Sequence, residues 1–166
     1  MARWCNKGER VKPSGTVVLT GRLYAIHIAP DGRRTDYGLV SDRKVTDAFA
    51  GYLVDCLKSS TAGFATFKYH DCGTGVGAED AGDVALGTPY GGARAVGSQV
   101  EGATANIYKS VGTVSFTGAA TITEHGLFNA SSSGVLMDRS LLSPTIAVIN
   151  GSEIEFTYEL TVTAGG

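Results

Sequence analysis

The residues that could do chemistry in this chain are few and scattered. There are three histidines, His27, His70 and His125, and three cysteines, Cys5, Cys56 and Cys72. His125 directly follows Glu124, and a carboxylate beside an imidazole is the pair that general acid–base catalysis uses. Both residues fall near the end of a β-rich run. Neighbours in a strand point to opposite faces, so the two side chains should not meet. A structural role for His125, hydrogen bonding a nearby turn, is the expectation. His70-Asp71-Cys72 has the residue types of a metal site, but zinc needs about four ligands at recognisable spacing. Cys5 and Cys56 stand in no such register. A histidine satisfied beside a buried thiol is expected there, and no cofactor is expected anywhere.

The run Gly73-Thr-Gly-Val-Gly-Ala superficially resembles a phosphate-binding turn. The residues after it, Glu79, Asp80 and Asp83, are acidic and would repel a phosphate, and no Gly-Lys-Ser/Thr follows. The same carboxylates lack the alternating spacing of a calcium loop, so a solvated turn is expected. No Gly-x-Ser-x-Gly elbow is present to expose a nucleophilic serine.

The elements around these residues are mostly strands. From Ile154 to Val162 apolar residues alternate with Glu and Thr without a break, the period of a strand with one face on a core. Residues 16–29 are β-rich with a break at Gly21, and Pro30-Asp31-Gly32-Arg33 should turn the chain into a return strand over Tyr37 to Val40. Further strands are expected over roughly 64–70, 104–116, 119–128, 134–142 and 145–149. Asn150-Gly151 between β-rich runs predicts a hairpin that closes on the last strand. One amphipathic helix is predicted over about 43–59, because Val45, Ala48, Phe49, Tyr52, Leu53, Cys56 and Leu57 recur at helical spacing. Ser41 or Asp42 would cap it. Residues 73–98 read as a long glycine-rich loop, of the kind that is functional or ordered by a partner. The expected architecture is mostly β: an antiparallel β-sandwich or jelly-roll-like sheet carrying that helix. It forms one domain over 16–166 behind an N-terminal arm, 1–15.

Charge bears on partners. The chain has 166 residues, a formal net charge of −2 and only 18% charged residues, which argues against nucleic acid as a partner. No stretch approaches the ~18 apolar residues of a membrane span. The N-terminal decapeptide has no apolar stretch of the secretory kind, and three cysteines are not a disulfide framework, so folding in a reducing cytosol is expected. The arm holds Arg3, Trp4, Lys7, Arg10 and Lys12, a basic segment with a single aromatic anchor suited to contact with a partner surface. Arg94, Asp138, Arg139, Glu155 and Glu159 are candidate inter-subunit groups. Asp138-Arg139 lies inside an otherwise apolar run, where the charges belong either on the solvent face or in a pair between subunits. Glu155 and Glu159 would face solvent or a neighbour's basic arm.

Several segments carry a resemblance. Lys68-Tyr-His-Asp-Cys-Gly-Thr-Gly, Ala105-Asn-Ile-Tyr-Lys-Ser-Val-Gly-Thr, Ala120-Thr-Ile-Thr-Glu-His-Gly-Leu-Phe, Gly134-Val-Leu-Met-Asp-Arg-Ser and the closing run from Asn150 are similar to segments of short bacteriophage virion proteins. The resemblance spans roughly residues 37–166. It implies a non-enzymatic virion protein of the capsid decoration (cement) type. Such a protein would form a homotrimer, bind the major capsid protein on the outer capsid surface, and be made in the host cytoplasm. The same segments also resemble domains of phage tail fibre and baseplate proteins, which implies a tail, neck or fibre-attachment subunit instead. A carbohydrate-binding module on a β-sandwich is a further reading.

Overall fold

Val18–Ile28 forms the first strand, β1, with Leu23 and Ala25 buried and Arg22 exposed between Gly21 and Leu23. The computed structural model describes residues 17–42, 45–58 and 67–163. Gly21 does not break β1, because the strand needs its missing side chain: a Cβ there would stand 2.7 Å from the Tyr158 hydroxyl. The Pro30 turn closes as expected, with Gly32 at φ 81° and its amide donating to Ala29 O at 2.8 Å. The return strand β2 (Arg34–Ser41) begins three residues before the expected Tyr37, since the ladder with β1 starts at Ile28–Arg34.

The helix α1 (Asp47–Lys58) is shorter than expected at its start. Ser41 ends β2, and Val45 makes an isolated antiparallel bridge to Asp138, so neither belongs to the helix. Thr46 is the cap: its Oγ1 accepts from the Phe49 amide at 3.2 Å and donates to Leu136 O at 2.5 Å. The apolar stripe turns inward through Phe49 and Cys56, and Phe67 receives Phe49 and Tyr52 edge-on at 5.0 and 5.2 Å.

β3 spans Tyr69–Gly73, later than the strand expected over 64–70, of which residues 64–66 lie outside the described residues. The short β4 (Ala95–Val96) falls inside the segment read as loop, and β5 (Ser98–Glu101) follows it. β6 (Ile107–Ser115) and β7 (Ala120–Phe128) come next. β8 (Leu136–Val148) is one strand where two were expected. The ladder with β7 absorbs the interruption at the cis Ser143–Pro144 bond by a register shift between Ile122 and Glu124. β9 (Glu153–Thr163) alternates as the sequence demands, with Ile154, Phe156, Tyr158 and Leu160 buried.

The strands form two antiparallel sheets, a β-sandwich. One has the order β2-β1-β9-β6-β5 and the other β4-β3-β7-β8. Asn150-Gly151 therefore does not close a hairpin: β8 and β9 lie in different sheets, and the turn carries the chain between them. Gly151 at φ 82° donates to Phe116 O, and Phe116 donates back to Ser152 O, which ties this crossing to the one between β6 and β7. At the other margin the chain kinks at Gly97 and passes from β4 directly into β5, joining the two sheet edges. The core between the sheets holds Leu23, Ile122, Leu127, Ile146, Ile154, Phe156 and Tyr158. No described helix is long and apolar enough to cross a membrane.

Candidate functional site

The two faces of the β3-β7-β8 sheet carry different chemistry, and strand alternation separates them. Glu124 and His125 are consecutive on β7 and point opposite ways. Glu124 faces outward under the glycine-rich segment 74–94, and His125 faces the opposing sheet, 4.6 Å ring to ring from Phe156.

Glu124 is buried, and three of its four hydrogen bonds fasten that segment. Its Oε1 accepts from the amides of Thr88 at 2.7 Å and Gly75 at 3.1 Å; its Oε2 accepts from Gly87 at 3.0 Å and from Arg139 Nε at 2.7 Å. Arg139 sits diagonally across the β7–β8 ladder and reaches on to Asp83 at 2.9 Å and to the carbonyls of Gly77 and Ala78. Glu79 accepts from the Leu141 amide on the free edge of β8. The glycine-rich turn thus does bind an anion, but the anion is the chain's own carboxylate. Glycine is required for the approach: a Cβ on Gly73 or Gly75 would overlap the Glu124 side chain. Burial pushes the Glu124 carboxyl up, yet the Thr88 and Gly87 amides and Arg139 outweigh it and hold it below the usual carboxylate range. Burial likewise pushes Asp83 up, and the Asp80 amide and Arg139 bring it down.

On the inner face a second polar group crosses between the sheets. His70 Nδ1 lies 3.0 Å from His125 Nε2, and His70 Nε2 lies 2.9 Å from Ser110 Oγ on β6. All three residues are fully buried. Burial drives the His70 pKa down to about 4, and burial together with His70 drives that of His125 well below the ordinary value, so both rings are neutral. Gly97 and Gly112 clear the space for His70, whose Nε2 a Cβ on Gly97 would approach to 2.8 Å. The expectation that His125 bonds a turn is therefore corrected: its partner is another histidine on the neighbouring strand. Cys72 lies beside them in register with His125, buried, its thiol pushed up to about 12 by burial and by the Asp71 and Glu124 charges. Among the described residues no three His, Cys, Asp or Glu side chains gather as metal ligands would.

The predicted contact residues are distributed differently from the expectation. Arg3, Trp4, Lys7, Arg10 and Lys12, with Cys5, lie outside the described residues. Asp138 and Arg139 are neither on the solvent face nor available to a neighbouring subunit. Asp138 is fully buried toward the opposing sheet, and Arg139 is held by Glu124 and Asp83. Arg94 is also engaged within the chain. It bonds Asp71 at 3.3 Å, donates to Ala130 O and Ser133 O, and lies 3.4 Å over the Phe128 ring, fastening the turn between β7 and β8. Glu155 meets Arg34 at 3.2 Å and Glu159 meets Lys109 at 3.8 Å, both on the outer face of the larger sheet. Sequence reasoning missed the Glu124–Arg139 pair. The signal was present as Glu124 in one β-rich run and Asp138-Arg139 in the next, charges set among apolar residues on either side of a turn.

Two concavities adjoin these elements. A recess of about 340 Å³ has His70, Cys72, Tyr90, Gly91 and Gly92 among its walls. His70 offers it no free nitrogen, because both are bonded internally. A larger open groove of about 730 Å³ runs across the end of the larger sheet, walled by Val17, Val100, Ile107, Tyr108 and Val162. Compared with protein-family models, with curated proteins and with solved structures, the chain matches none of them.

Proposed function

We propose that this chain is a non-enzymatic structural protein of a phage virion. The reading is a capsid decoration protein that binds the outer lattice of the major capsid protein as a homotrimer and stiffens it. The observation that carries the proposal is the use of the buried charge. Glu124, Arg139 and Asp83 bind the glycine-rich segment down onto a sheet, and the histidines bond one another between sheets. Groups of these types would serve catalysis if they converged on an open cleft; here Glu124, Arg139, Asp83 and His70 bond within the chain, and His125 bonds His70 through Nε2 while its Nδ1 is buried without a partner among the described residues. A rigid β block with a long edge and an apolar groove at one end is suited to presenting surface, and the phage-type segments fit the same reading. The proposed capsid contacts are Arg3, Trp4, Lys7, Arg10 and Lys12.

The experiment is to mix purified full-length protein with undecorated capsids, sediment them, and locate the added density by electron microscopy. Density at three-fold positions is expected, with loss of binding when residues 1–12 are deleted. Retained occupancy without those residues would remove the arm from the proposal. A ring of six or twelve subunits in place of a trimer would favour a tail or neck component. Saturable binding to glycans by the recess at Tyr90 would favour the carbohydrate-binding reading.

A further inference from the structure

The inner face of β8 holds an acid with no cation beside it among the described residues. Asp138 is fully buried; its Oδ1 accepts from Ser140 Oγ at 2.6 Å, and its Oδ2 has no hydrogen-bond partner among the described residues. On the opposing sheet Tyr158 is also fully buried, and its hydroxyl likewise has no partner among the described residues. Both atoms lie over Gly21: a Cβ there would stand 2.7 Å from the Tyr158 hydroxyl and 3.0 Å from Asp138 Oδ2. Three elements thus converge, β8 with the acid, β9 with the phenol and β1 with the glycine that leaves room for them.

The groups facing Asp138 offer its ionised form little compensation. From β8 there is Ser140, from β9 Tyr158, from β1 Gly21, and from β7 the register partner Leu127. Val45 bridges its backbone, and Ser41 at the end of β2 is another buried hydroxyl without a partner among the described residues. The charged group acting on it is Glu79, which has the same sign. Arg139, adjacent in sequence, points to the opposite face and is held by Glu124 and Asp83. A buried carboxylate without a counter-charge is costly, whereas a neutral carboxyl can donate its O–H to a facing hydroxyl.

We infer that Asp138 is a protonation latch between the two sheets, neutral when it joins β8 to β1 and β9 and loosening that junction when it ionises. Burial, and Glu79 after it, push this acid up to about 7, against the partial counter-effect of Ser140, which places the transition in a mild range. Because the folded value is raised, the contribution is full below the ordinary carboxylate range and is lost as pH rises toward 7.

The test compares the full-length protein with Asp138→Asn by chemical denaturation between pH 4.5 and 8.5. The ratio of their unfolding constants isolates Asp138 from the histidines and the other carboxylates. Across that interval the wild type is expected to lose stability relative to Asp138→Asn by a factor on the order of a hundred, from a tenfold change per unit of pKa shift. Parallel curves would overturn the latch. Should Asp138→Asn fail to fold, the carboxyl carbon resonance of Asp138 in the wild type decides the matter. A midpoint near 7 supports the latch, and a midpoint in the ordinary carboxylate range overturns it.

Discussion

Glu124 is the residue on which most local order depends. It accepts from three loop amides and one guanidinium. Removing one partner of a buried ion pair leaves the other charge uncompensated. Glu124→Ala is therefore expected to cost about 3–5 kcal/mol in a urea titration. Amide hydrogen exchange separates its two roles: Glu124→Ala should deprotect Gly75, Gly87 and Thr88 together, whereas Arg139→Met should leave them protected because their acceptor remains. The histidines give a second prediction at this scale. The folded value of His70 is lowered to about 4 from 6.5, so the folded state resists a proton that the unfolded state accepts. Its contribution is full above pH 6.5 and is lost as pH falls toward 4, amounting to about 3 kcal/mol at 1.36 kcal/mol per unit. Imidazole nitrogen shifts of the folded protein should show neutral His70 and His125 at pH 5. A charged ring at that pH would contradict the arrangement.

The elements were legible in the sequence to different degrees. β9 and the Pro30 turn could be read directly, because strict alternation and a fixed φ are local signals. The helix was legible in its apolar stripe but not in its start. Thr46 acts as the cap because Met137 and Leu136 on β8 receive its amide and hydroxyl, a contact 90 residues away in sequence. Thr46→Ala is expected to cost about 1–2 kcal/mol, seen as a lower melting temperature by helical circular dichroism. The sequence predicts a break at Pro144, because proline interrupts a ladder. β8 continues because it is an edge strand, where a proline and a register shift are tolerated. The close approach of β6 to β3 gives another test. Gly112→Ala would drive a methyl into the His70 ring, and overpacking of this kind costs about 1–3 kcal/mol. The same substitution at Gly32 meets no atom within 4 Å and is limited by its positive φ alone.

In the molecule as a whole, the two sheets and the helix pack around a main core, with the bound segment 74–94 laid over the outer face of the smaller sheet. There Leu86, Phe128 and Leu136 make a small second core beneath it. The pH dependence of the assembled fold is the sum of opposing groups. Glu124 and Asp83, with lowered values, stabilise at neutral pH and lose that contribution as pH falls through their folded values. The histidines act in the same direction over 6.5 to 4, while Asp138 acts against them over the range up to about 7. Maximal stability is therefore expected near neutrality, with a steep acid limb that a thermal denaturation series would reveal.

Local pattern alone reveals that this chain is mostly β, roughly where the helix lies, and which face of the last strand is buried, because period and turn chemistry act over a few residues. It also marks Asp138-Arg139 as charges inside an apolar run, and Glu124 as the neighbour of His125. What those charges do depends on the three-dimensional arrangement. The residues they meet are far away in sequence, Gly75 by 49 residues from Glu124 and Gly21 by more than a hundred from Asp138, and come together through sheet order and strand crossing that no local pattern encodes. The same cause turned Asn150-Gly151 from a hairpin into a passage between sheets: a tight turn dictates that the chain reverses, and the competition among whole strands dictates which neighbours they then pair with.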